Sequence, residues 1–162
     1  MMTTPSPGPA PRDYAAEARA RKAATAEALA IDEALISELV ETFYARIREH
    51  DLLGPIFDRH IKDWPPHLAR MKDFWSSIAL ESGRFQGNPM LKHIAIPGIG
   101  HEHFSAWLQL WDEVLSDVCA RSDGAAFFSD RAGRIAESLQ LGIAHHRDGF
   151  MRRPLEETSH AS

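Results

Sequence analysis

Read for the spacing of its hydrophobic positions, the chain beyond residue 30 is a succession of helical stripes. Ile36, Leu39, Val40, Phe43, Tyr44 and Ile47 recur at three- and four-residue intervals, with Asp32 placed to cap the start. Gly54-Pro55 interrupts the pattern and leaves Ile56-Phe57 as a short apolar pair. Trp64-Pro65-Pro66 opens a second stripe of His67, Leu68, Met71, Phe74, Trp75 and Ile78, closing near Ser82-Gly83. Asn88-Pro89 is another start signal, an asparagine to cap and a proline at the first helical position. Only about two turns fit before Pro97, because the residue preceding a proline resists helix. After Pro97-Gly98-Ile99-Gly100, a long helix carries Phe104, Trp107, Leu108, Trp111, Val114, Leu115 and Val118. A turn at Ser122-Asp123-Gly124 leads to a last helix with Phe127, Phe128, Ile135, Leu139, Ile143 and Phe150, ending before Pro154. There is no period-two strand pattern, internal repeat or glycine-rich phosphate loop. The expectation is an all-α fold of four substantial helices and two short ones, sandwiched around one core.

The ends read differently. Residues 1–12 carry prolines at 5, 7, 9 and 11 and too few apolar groups to bury, so disorder is expected. Residues 13–30, rich in Ala, Arg and Glu, have helix propensity without an apolar face, which predicts a frayed or solvent-exposed helix. The organisation expected is an extension over 1–30, a folded domain over 31–151 and a flexible tail over 152–162.

Composition narrows the classes. At 162 residues, 44% hydrophobic and 25% charged, the chain is one ordinary globular domain. A net charge of −5 without a sustained basic stripe speaks against a nucleic-acid partner. No apolar run approaches the ~20 residues that a membrane span needs, and the N-terminus lacks an apolar signal core. One cysteine, Cys119, excludes an internal disulfide and favours a reducing, cytoplasmic setting. At the end of an apolar helical pattern, Cys119 reads as a buried inert thiol.

Nine histidines raise the question of a metal. His50, His60, His145, His146 and His160 sit in charged surroundings and read as surface residues. His101-Glu102-His103 is too tightly spaced for the zinc motif His-Glu-x-x-His, and further ligands at matching spacing are missing. Two histidines differ. His67 lies on the apolar face of its helix, one turn before Met71, and His93 lies on the short helix among Met90, Leu91, Ile94 and Ile96. Together they suggest two walls of one cavity. Tyr44 and Trp107 add a hydroxyl and an indole N–H to neighbouring apolar stripes. Such polar tips either satisfy one another or the backbone, or face something polar between them.

These pieces occur in a familiar order. Phe43-Tyr44, Leu53-Gly54-Pro55-Ile56-Phe57, His67…Met71…Phe74-Trp75, Asn88-Pro89-Met90-Leu91-Lys92-His93 and Phe104…Trp107 resemble the truncated globins, a two-over-two helical sandwich. Within that family the chain is most similar to group III, from about Asp32 to Phe150. The resemblance implies haem b as cofactor, with His93 as the proximal ligand of the iron. Tyr44, His67 and Trp107 would then stand on the distal side as donors to a diatomic ligand, O2, NO or CO. Phe57, Met71, Phe74 and Phe104 would wedge the porphyrin by apolar contact, with Ile96 beside them. Arg70 and Lys92 are candidates for the propionates. Three features depart from the family's pattern: Met71 where a branched aliphatic is commoner, His103 where an aromatic is expected, and the long N-terminal extension.

The same pocket leaves other chemistry open. A peroxidase-like or NO dioxygenase activity would use the distal donors to polarise an O–O bond, with a reductase as partner. His67 as a second axial ligand would make an electron-transfer protein. A helical interaction module with no cofactor is the remaining alternative.

Overall fold

The structure, a computed structural model, describes residues 8, 13–120 and 123–152, excluding the side chains of residues 149–152. Its elements are α1 (Tyr14–Ala28), α2 (Glu33–Glu49), α3 (Gly54–His60), α4 (Trp64–Leu80), α5 (Pro89–Ile94), α6 (His101–Val118) and α7 (Gly124–Arg152). The expected disorder over residues 1–12, the tail beyond residue 152, Ser122 of the turn and the burial of Phe150 lie outside the described residues.

The starts follow their caps. Asp32 accepts from the Leu35 amide at 2.8 Å, and Asn88 accepts from the Leu91 amide at 3.2 Å. α4 stops at Leu80, slightly before the glycine expected to end it, because Glu81 takes the left-handed conformation (φ 55°).

The four stripes make the two-over-two sandwich. α2 packs on α4, α6 packs on α7, and α2 joins the pairs by lying on α6. At the centre Ile36, Leu39, Val40, Phe43, Ile47, Trp111, Val114 and Phe128 are all fully buried. A smaller cluster of Ile99, Phe104, Ala136, Leu139 and Ile143 sits under α5 and the start of α6.

One element corrects the sequence reading. Gly54-Pro55 begins α3 where a break was expected. His50 organises that start: its Nδ1 accepts from the amides of Leu52 and Leu53, both at 3.2 Å, so it is a cap and no bystander of the surface. Glycine is required at position 54, since a Cβ would lie 2.9 Å from the Arg48 carbonyl oxygen. α1 is the solvent-exposed helix expected, with Ala26 its one buried residue. It leans on α4 and is tied to its end by the Lys22–Glu81 ion pair.

α5, only six residues long, packs on α7. The contact is close at Gly142, where a Cβ would come within 2.3 Å of the Met90 sulfur.

Candidate functional site: a cavity between two histidines

Short α5 and long α4 both contribute walls to a cavity of about 610 Å³, well within the range of small-molecule and cofactor sites. Every residue that the resemblance places around the cofactor lines it. α2 supplies Tyr44 and α3 supplies Phe57; α4 supplies His67, Arg70, Met71 and Phe74; α5 and its exit supply Lys92, His93 and Ile96; α6 supplies Phe104 and Trp107.

On the α5 side, His93 Nδ1 lies 2.6 Å from the Pro89 carbonyl oxygen. A carbonyl only accepts, so Nδ1 carries the proton and Nε2 keeps a lone pair, the form of imidazole that binds a metal. Pro89 therefore both starts the helix and fixes the tautomer of the histidine one turn on. The His93 ring lies 6.4 Å from that of Phe104.

On the α4 side there is an unsatisfied group. His67 Nε2 is buried with no hydrogen-bond partner among the described residues. Burial first, then the charges of Arg70 and Lys92, push this imidazole down to about 4, so it is neutral at physiological pH. Its ring meets Tyr44 edge-on at 5.0 Å and Trp64 at 5.7 Å. Burial pushes the Tyr44 phenol up, which keeps its hydroxyl protonated and able to donate. Arg70 and Lys92 are exposed at the rim.

The tryptophans divide their roles. Trp111 is fully buried and its indole donates to the Phe128 carbonyl at 3.2 Å, the backbone partner that burial demands. Trp107, half-buried and facing the cavity, stacks on Trp111 at 5.8 Å; Trp111 in turn stacks on Trp75 at 4.7 Å.

Of the other histidines, His103 lines the cavity while its Nδ1 accepts from the Gly100 amide at 3.0 Å, capping α6. His60 is exposed at the rim, His101 pairs with Gln140, and His145 and His146 are exposed. His160 lies outside the described residues. Cys119 is buried, and burial followed by the charge of Glu38 pushes its thiol up.

Sequence reasoning missed several lining residues. Trp75, Ile135 and Leu139 were recognised as core stripes, and the alternation of large and small groups along α7 gives no sign that Ile135, Ala136 and Leu139 face a cavity. Phe85 sits in the α4–α5 loop, where no helical period exists to read; its one signal is being the lone aromatic of Gly83–Gly87.

Among the described residues no three His, Cys, Asp or Glu side chains converge to hold a metal ion. A metal at His93 would therefore bring most of its ligands with it. A two-over-two helical sandwich with a cavity between a ligand-competent histidine and a buried unsatisfied one defines a globin-type site. No family model matches the chain. It is 36% identical over 92 residues to the group 3 truncated hemoglobin of Campylobacter jejuni, covering 54% of this chain and 72% of that protein. It is also 34% identical over 94 residues to the group 2 truncated hemoglobin of Bacillus subtilis, covering 55% and 68%. The crystal structure of the group III truncated hemoglobin from Campylobacter jejuni superposes with a TM-score of 0.65 and 32% identity, over 70% of this chain and 91% of that one. The chain belongs to the truncated hemoglobins, and within them it is most like group III.

Proposed function

We propose that the cavity holds haem b with His93 as its one protein ligand, and that the protein binds a diatomic gas, O2, NO or CO, on the face opposite His93. The observation that carries this reading is the pair of imidazoles that line one cavity. His93 has its Nδ1 proton committed to Pro89, leaving Nε2 for iron, and His67 has a buried Nε2 with no partner. The residues present fit the group: a largely apolar cavity of suitable size, one free imidazole lone pair, and Arg70 and Lys92 at the rim for the propionates.

Bound there, haem would supply an iron able to take and polarise a diatomic ligand. The chain's own groups act on that polarised ligand. Tyr44 donates from a hydroxyl that burial keeps protonated. Neutral His67 offers one N–H, and Trp107 offers an indole N–H from the α6 side. In a dry pocket each such donor counts for more than in water. Phe57, Met71, Phe74, Phe104 and Ile96 would exclude water and hold the group by apolar contact.

The test is the absorption spectrum of the purified chain with haem, beside a His93→Ala variant. A sharp Soret band that shifts or disappears in the variant is the expected result; failure of the wild type to retain haem would refute the reading. The unpartnered Nε2 of His67 favours a second reading, electron transfer with His67 as a second ligand to the iron. A low-spin six-coordinate ferrous spectrum without added gas would select it.

A further inference from the structure

Resting on the haem reading above, we propose that Phe85 is a wall of the cofactor site, and that Arg84 is the positioning residue that holds it there. Both belong to the loop that joins α4, on the His67 side, to α5, on the His93 side.

Arg84 is tied to two helices at once. Its Nη2 donates to Glu33 Oε1 of α2 at 2.7 Å and to Ser76 Oγ of α4 at 2.9 Å, while Nε donates to Asp73 Oδ1 at 3.1 Å. Ser76 is the fully buried polar residue of α4, and its hydroxyl also meets that of Ser82 in the loop at 2.7 Å. A planar guanidinium with donors in a fixed fork suits this three-way junction; a lysine ammonium would not reproduce it.

The next residue inherits that geometry. The Phe85 amide donates to Ser77 Oγ at 3.2 Å, and the ring meets Phe74 edge-on at 5.0 Å while lining the cavity. The loop then closes over the ring at Gly87, where a Cβ would stand 3.1 Å from Phe85 Cζ and 3.2 Å from Arg70 Nη2. Asn88 follows at once as the cap of α5. The Arg84 junction thus fixes an aromatic surface inside the cavity. A surface ion pair alone is worth little, so the proposal stands on this continuity with the cavity and not on the charges.

The experiment compares Arg84→Gln and Phe85→Ala with Arg46→Gln, which breaks an ion pair to Asp117 of similar length between α2 and α6, away from the cavity. Haem loss from the loaded chain to an excess of an acceptor globin is followed beside urea unfolding. Arg84→Gln and Phe85→Ala are each expected to raise haem loss roughly three- to tenfold. Arg46→Gln should leave it within about twofold at a matched loss of stability, and the Arg84→Gln/Phe85→Ala double variant should be no worse than Phe85→Ala. In the haem-free chain, amide exchange at Phe85 should be faster in Arg84→Gln. Equal haem loss in Arg84→Gln and Arg46→Gln, or additivity in the double variant, would overturn the positioning role. Unchanged exchange at Phe85 would overturn it independently of haem. A wild-type chain that takes up no haem would overturn the wall along with the reading it rests on, while exchange would still decide the clamp.

Discussion

Two glycines of α7 offer a controlled measurement of how firmly α5 is seated. At Gly133 an added Cβ meets nothing within 4 Å; at Gly142 it would lie 2.3 Å from Met90 Sδ and 2.6 Å from Met90 Cε. Replacing a helical glycine with alanine gains about 1 kcal/mol, mostly by restricting the unfolded chain. Gly133→Ala should therefore stabilise by about 1 kcal/mol, or roughly 2–4 °C in a domain of this size. Gly142→Ala has the same gain and a cost beside it. The Met90 thioether must retreat by roughly 1 Å or more to reach ordinary contact, and overpacking of this kind costs about 1–3 kcal/mol. Methionine is flexible, which puts the cost toward the low end. The net expected for Gly142→Ala lies between no change and a loss of about 2 kcal/mol. Because Met90 precedes His93 by one helical turn, the variant should also lose haem faster than Gly133→Ala. Urea unfolding of both variants, with haem transfer as the second assay, provides the comparison. If Gly142→Ala is as stabilising as Gly133→Ala and retains haem equally well, α5 is not seated by this contact and the reasoning fails.

Two further outcomes follow from the distal wall. Tyr44→Phe removes a hydroxyl whose proton burial retains, and stopped-flow oxygen dissociation from the haem-loaded variant should be about tenfold faster if that hydroxyl donates to the gas; an unchanged rate removes Tyr44 from the distal set. For His67 the folded imidazole, at about 4, lies below its ordinary 6.5. As pH falls between those values the unfolded chain takes up a proton that the folded chain refuses, so stability drops toward acid. His67→Leu should flatten that limb by about 1–2 kcal/mol, allowing for screening at a part-exposed group; chemical unfolding at pH 4 and 7 reads it, and an acid limb as steep as the wild type's would refute the shift.

How far the sequence could be read depended on whether a residue's role is periodic. Tyr44, His67 and Trp107 were visible because each interrupts an apolar stripe with a polar tip, and helical spacing alone puts such a tip on the buried face. His93 was visible because Asn88-Pro89 and Pro97 leave its helix almost no freedom of length. Gly54-Pro55 misled because the same dipeptide that breaks one helix can start the next, and what decides here is the His50 ring, which no propensity records. α1 was legible as an exposed helix, while its docking, on Ala26 and one ion pair, makes no stripe to read. Phe85 was invisible for the opposite reason: its place is set by a guanidinium that reaches two other helices, a tertiary fact without a local pattern.

The shortness of α5 has a consequence for when the site exists at all. A six-residue helix has no stability of its own in water. Its shape is borrowed from the Asn88 cap, the Met90 contact with α7 and whatever fills the cavity beside His93. Emptying the cavity removes the last of these supports, so local opening of α5 and occupancy of the site are one equilibrium. His93 thus sits on an element with little protection of its own, and amide exchange along residues 90–94 would report occupancy of the cavity before any change reached the sandwich.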